Sequence, residues 1–217
     1  MARRLGRVVV TCLITASLVG ATGASASAER WWSGDRSGDV GQIAFSPEPP
    51  PCGTVTESVT PQDAATDIVG LSVRHEHGTV DVRAHFRDLT AWGDRQLSFD
   101  LETDRGSYEI SMMKWSKRGP VETSLLEAAP PPESFDECGG YATVQLHVPC
   151  DVVVTRSPAQ DYVSVVLPRS CLRGPRWVRA GVRTFRTVGD RYRWDVWSHT
   201  DPVAAYSGPF GPRVHRD

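Results

Sequence analysis

From Asp63 onward, apolar and polar residues alternate with a period of two. Residues 67–76 and 79–90 show this on either side of His77-Gly78. Successive side chains of a strand point to opposite faces, and a two-residue turn sets which residues pair. With His77-Gly78 as the turn, Glu76 pairs with Thr79 and Arg74 with Asp81. Val69, Leu71, Val73 and His75 then stand opposite Phe86, Ala84, Val82 and Val80 on one apolar face. Residues 95–104 and 107–116 repeat the pattern around Arg105-Gly106, with Leu97, Phe99, Leu101 and Thr103 inside beside Met112, Ile110 and Tyr108. That turn places Glu109 opposite Glu102 on the outer face. A third hairpin spans 176–199 about Gly189-Asp190, and further strands cover 142–148 and 161–168 after a Pro-rich acidic loop from Glu127 to Glu137. No segment carries a sustained 3.6-residue period. Short strands, regular turns and scattered proline predict an all-β fold, an antiparallel, jelly-roll-like β-sandwich of about eight strands.

The N-terminal residues change the setting of that domain. Met1–Arg7 carries three arginines and no acid, Val8–Ala21 is almost wholly apolar, and Ala24-Ser25-Ala26 and Ala26-Ser27-Ala28 both fit a small-residue cleavage site. This order predicts a secretory signal peptide over residues 1–28 and a secreted mature chain of about 190 residues. The apolar run is shorter than the ~20 residues a membrane helix needs, so the mature chain has no expected membrane span. Residues 29–62, with Ser46-Pro47-Glu48-Pro49-Pro50-Pro51, read as a Pro-rich tether, which leaves 63–217 as the sandwich. Trp31-Trp32 is unusual in such a segment. Cys12 falls within the leader; Cys52, Cys138, Cys150 and Cys171 remain, an even number in an oxidising compartment. Four cysteines allow three pairings. Cys150 and Cys171 adjoin neighbouring strand ends, which favours Cys150–Cys171 and leaves Cys52–Cys138 as the second disulfide.

A net charge of −2 argues against nucleic acid as a partner. Charge patterning within the strands is more informative. Asp100, Glu102 and Asp104 point one way at period two, with Glu109 across the ladder. Like charges in cross-strand register destabilise a sheet, and a hard cation such as calcium would remove that cost. The competing expectation is a solvated face with arginines nearby. The third hairpin sets Trp177, Arg179, Arg183 and Phe185 on the face that carries Tyr192, Trp194 and Val196, while Val178, Ala180, Val182 and Trp197 make the other. If the second set is core, the first displays rings and guanidinium groups suited to sugar faces, hydroxyls and carboxylates. His75, His77 and His85 fall to the core face, the turn and the opposite face, so no zinc set converges. No G-x-S-x-G, Gly-rich phosphate loop or H-E-x-x-H occurs.

The run Val165-Val166-Leu167-Pro168-Arg169-Ser170-Cys171-Leu172, followed by Pro175 and Trp177-Val178-Arg179, resembles a motif of exported β-sandwich proteins from high-GC Gram-positive bacteria. The hairpin order before it is similar to that of DOMON-like and family 9-like carbohydrate-binding modules. The resemblance implies export and a sugar-binding sandwich, and it carries no catalytic residue over. Three functions are therefore expected, in this order. The first is a non-catalytic module that binds a glycan or cell-wall ligand through Trp177, Arg179, Arg183, Phe185, Tyr192 and Trp194. The second is a structural or protein-interaction module of the cell surface. The third is a secreted hydrolase working through the acidic row.

Overall fold

The computed structural model describes residues 29–46, 54–89, 95–114, 119–128, 145–197 and 209–216. The fold is all-β with antiparallel pairing throughout, and the described residues contain no α-helix, only two short 3-10 turns. The strands are β1 (Glu29–Gly34), β2 (Gly41–Ser46), β3 (Thr54–Val59), β4 (Ile68–His75), β5 (Thr79–Phe86), β6 (Arg95–Thr103) and β7 (Gly106–Met113). They continue with β8 (Glu122–Glu127), β9 (Leu146–Val148), β10 (Val153–Ser157), β11 (Tyr162–Pro168), β12 (Trp177–Val188), β13 (Arg191–Val196) and β14 (Val214–His215). One sheet runs β1-β4-β5-β11-β10, and the other runs β3-β2-β13-β12-β6-β7-β8-β9, with β14 beside β13 on the same edge of β12. Neither sheet closes on itself. Among the described residues no helix is long and apolar enough to cross a membrane.

The alternation explains the core. Leu71, Val73, Val80, Val82, Ala84, Val163, Val165 and Leu167 come from the five-stranded sheet; Leu97, Phe99, Leu101, Ile110, Met112, Val178, Ala180 and Val182 come from the other. All belong to one buried cluster, so each sheet dries the other's inner face. Arg74 pairs with Asp81 and Leu71 with Ala84, as the His77-Gly78 turn requires. The register slips once, where Val69 is an extra residue, so Ile68 rather than Val69 stands opposite Phe86.

Two other expectations are corrected. The second hairpin turns at Asp104-Arg105, with Thr103 paired to Gly106, so Glu109 faces Asp100 and Glu102 faces Ser107. The shift is an even number of residues, so each side chain keeps its predicted face. The 29–62 segment contributes three strands: β1 pairs with β4, and β2 runs between β13 and β3. The strand count is accordingly fourteen among the described residues. Pro49, Pro50 and Pro51 lie outside the described residues, as do 1–28, Cys52 and Cys138. Trp31 points inward and meets Trp197 edge to face at 5.3 Å.

Cys150 and Cys171 are bonded. Cys150 lies where the chain leaves β9 of one sheet for β10 of the other. Cys171 lies in the 3-10 turn where it returns from β11 to β12. The bond thus clamps two crossings between the sheets. The return corner is further held by buried Leu172, by Arg173 and Gly174 in the left-handed conformation (φ 61° and 64°), and by Arg169 N–H donating to the Gly78 carbonyl at 2.9 Å. The cysteines are 21 residues apart, a loop for which chain entropy gives about 3 kcal/mol. The double variant Cys150→Ala/Cys171→Ala should lose about that much unfolding free energy in urea, about 3 kcal/mol. A loss of a few tenths would assign the corner to packing alone.

Candidate functional site

The outer face of β6 and β12 carries the predicted acidic row and the predicted arginines, and the structure joins them. Arg179 stands directly opposite Glu102 and donates to it. Arg176 reaches Asp104 at 2.9 Å, and its N–H donates to the same carboxylate at 2.8 Å. Arg183 lies between Asp100 (2.6 Å) and Glu109 (3.1 Å). Ser98 Oγ and Gln145 Nε2 also donate to Glu109, at 2.7 and 3.0 Å. Each of Asp100, Glu102, Asp104 and Glu109, whose like charge pointed to a cation, has an arginine of β12 or of the residue before it within ion-pair distance. One guanidinium serves two carboxylates at the Asp100–Glu109 pair. Burial, with Glu109 close by, pushes Asp100 up to about 6 against the pull of Arg183.

The aromatic half of this face is neither core nor fully displayed. Trp177 is half-buried beneath Arg213, whose guanidinium sits 4.3 Å from the ring centre. Arg179 also stacks on Phe210 at 5.1 Å. Trp194 is half-buried and lies on Gly41 of β2; a Cβ there would come within 2.4 Å of the indole, so glycine is needed beneath the ring. Phe185 pairs with Trp194, and Tyr192, with 47% of its surface exposed, pairs with Ile43 and Thr187. Of the six residues expected to hold a ligand, Arg179 and Arg183 are engaged by carboxylates and Trp177 and Trp194 are stacked. Phe185 and Tyr192 instead border an open groove of about 540 Å³, with Arg95, Lys114, Arg186 and Thr187.

This groove is basic. Arg186 and Arg193 share Asp63, at 3.5 and 3.0 Å. Burial raises the Asp63 carboxyl, but Arg193, Thr66 and Arg186 more than offset it and hold it below its usual range. Arg95 is buried against the Ala65 carbonyl and stacks on Phe86 at 5.2 Å; burial and the neighbouring Arg186 lower its pKa to about 10. Cations and rings thus line one groove.

Two features lie outside the sites assigned from the sequence, the first noticed there without a role and the second not seen at all. Trp32 is 60% exposed on the outer face of the five-stranded sheet, its indole lying over Gly34 and Gly70 at ordinary contact distance. Alongside, Arg83 stacks on Tyr162 at 4.3 Å. The second is a cluster of three aspartates where the two sheets meet. Asp39 precedes β2, Asp67 precedes β4 and Asp195 belongs to β13, and one carboxylate oxygen of each lies within 4.8 Å of the others. Asp195 accepts Ile68 N–H at 2.6 Å and Val196 N–H at 2.9 Å; Asp67 accepts Gly38 N–H at 2.7 Å. Their separation of 28 and 128 residues left no spacing to read. His75 is buried with Nδ1 3.1 Å from the Val214 carbonyl, His77 is exposed in the turn, and His85 faces outward near Tyr162. No family model, curated protein or solved structure matches the chain.

The Asp100–Arg183–Glu109 cluster makes a signed prediction. A carboxyl whose folded pKa exceeds its unfolded value favours folding at low pH, and that advantage is lost as pH rises from about 4 to about 6. Asp100→Asn does not titrate. Its unfolding free energy relative to wild type should therefore rise by about 2 kcal/mol between pH 4 and pH 7 in urea. A difference that stays flat across that range contradicts the cluster's electrostatics.

Proposed function

We propose that this chain is an exported, non-catalytic β-sandwich module of jelly-roll-like build that binds a glycan carrying anionic groups. One observation carries the reading: Tyr192 and half-buried Phe185 border the same groove as Lys114, with Arg186, itself 3.5 Å from Asp63, at its side. Ring faces stack on the apolar faces of sugars, and ammonium and guanidinium groups bind carboxylates and hydroxyls. The predicted leader over 1–28 and the Cys150–Cys171 bond support export. Engagement of all four predicted acids by arginines speaks for binding over hydrolysis, because a glycosidase needs carboxyls that reach substrate. Exposed Trp32 supports a second placement of the same activity, on the outer face of the five-stranded sheet.

An array of neutral and anionic polysaccharides tests this, followed by calorimetry on the best binder. Tyr192→Ala should weaken binding at least tenfold. Lys114→Gln should reduce affinity for the anionic glycan and flatten its salt dependence, and Trp32→Ala should leave both unchanged. No binding to any glycan would overturn the function. Loss with Trp32→Ala and not with Tyr192→Ala would move the site to the other sheet.

A further inference from the structure

The three aspartates between the sheets do not neutralise one another. Asp67 has no exposed surface, Asp195 is 3% exposed, and Asp39 is half-buried. Asp67 Oδ1 and Asp39 Oδ1 are both out of contact with water and have no hydrogen-bond partner. A buried acceptor without a donor is costly, and a buried carboxylate more so. Positive charge nearby is short. Arg87 Nε is 3.1 Å from Asp67 Oδ2, and Arg36 and Arg87 both act on Asp39 from further away. Asp35 and Asp63 add negative charge on the same side. Burial raises all three carboxyls above their ordinary value.

Two species could relieve this, shared protons or a cation. The fixed donors favour the cation. Ile68, Val196 and Gly38 N–H groups all point at carboxylate oxygens, an arrangement that stabilises the ionised form. The ligands are oxygen only, which suits a hard cation. Two oxygens of one calcium shell stand at most about 4.6–5.2 Å apart, and every pair drawn from the three carboxylates falls within 4.8 Å, so a small inward movement brings all three onto one ion.

We infer that Asp39, Asp67 and Asp195 form a calcium site that ties the β1–β2 connection and the start of β4 to β13, and so ties one sheet to the other. Asp67 Oδ1 and Asp39 Oδ1 are the ligand oxygens left open for it, and water or backbone carbonyls complete the shell. With three carboxylates the affinity falls in the range of extracellular calcium modules, on the order of 0.1–1 mM. The site is independent of the glycan groove, and either can fail without the other.

The test is thermal unfolding of the purified protein, stripped with EGTA and titrated with calcium chloride or magnesium chloride at pH 7.5. Calcium at about 5 mM should raise Tm by roughly 2–9 °C and magnesium by much less. Equilibrium dialysis should count one calcium per chain. Asp39→Asn, a substitution in a connecting segment, should remove most of the calcium shift while the stripped protein still unfolds cooperatively. Asp100→Asn should retain the full shift. Absence of a calcium shift in wild type overturns the site. So does a shift that survives Asp39→Asn or disappears with Asp100→Asn, and so does a stripped Tm that falls as pH rises while calcium has no effect, the mark of shared protons.

Discussion

A carboxylate from one sheet caps a backbone amide of the other. Asp195 projects from β13 and accepts Ile68 N–H at the first residue of β4. The Val69 bulge lies one residue on, where the β4–β5 register slips. Bulges redirect local groups, and this one accompanies an amide turned toward the opposite sheet instead of along its own ladder. The bond is buried, so it is strong, and it also brings an unshielded charge into the interior. Asp67 and Asp39 add to that charge. The contact that aligns the sheets therefore also creates the strongest demand for a counterion among the described residues.

The acids of β6 meet the same difficulty differently. Their charge is neutralised from the side, by arginines of β12 whose planar guanidinium groups reach carboxylates across the ladder. Those pairs remain partly hydrated, so each contributes modestly, and their main effect is to fill the surface with its own partners. The aromatic and basic groove lies beyond the last of these pairs, where β12 and β13 run out past β6 and Asp63 is the carboxylate shared by two arginines. Ion pairing along the strand thus occupies the Arg179–Arg183 part of the face.

Parity was legible in the sequence; position across the fold was not. The His77-Gly78 and Gly189-Asp190 turns assign the inward residues of four strands up to the Val69 bulge, where Ile68 replaces Val69 on the core face, because side-chain direction depends only on counting from the turn until a residue is inserted. The Asp104-Arg105 turn was misplaced, yet an even shift left Phe99, Leu101 and Ile110 inside. Trp31 and Trp32 were noticed without being assignable, since an Arg-Trp-Trp-Ser run shows no clean alternation. Once β1 pairs with β4, Trp31 falls inward against Trp197 and Trp32 outward over Gly70. The acidic cluster left no local trace. Asp39, Asp67 and Asp195 meet only because β4 and β13 belong to facing sheets, which no spacing along the chain encodes.

What neutralises the Asp195 cluster decides whether the sheets are joined by a counterion or by protons. Diffraction from crystals grown in calcium, with anomalous differences measured at long wavelength, distinguishes the two directly. The account requires one anomalous peak about 2.3–2.6 Å from oxygens of Asp39, Asp67 and Asp195. A cluster without a peak, its carboxyl oxygens drawn to about 2.5–2.7 Å from one another by shared protons, would contradict it.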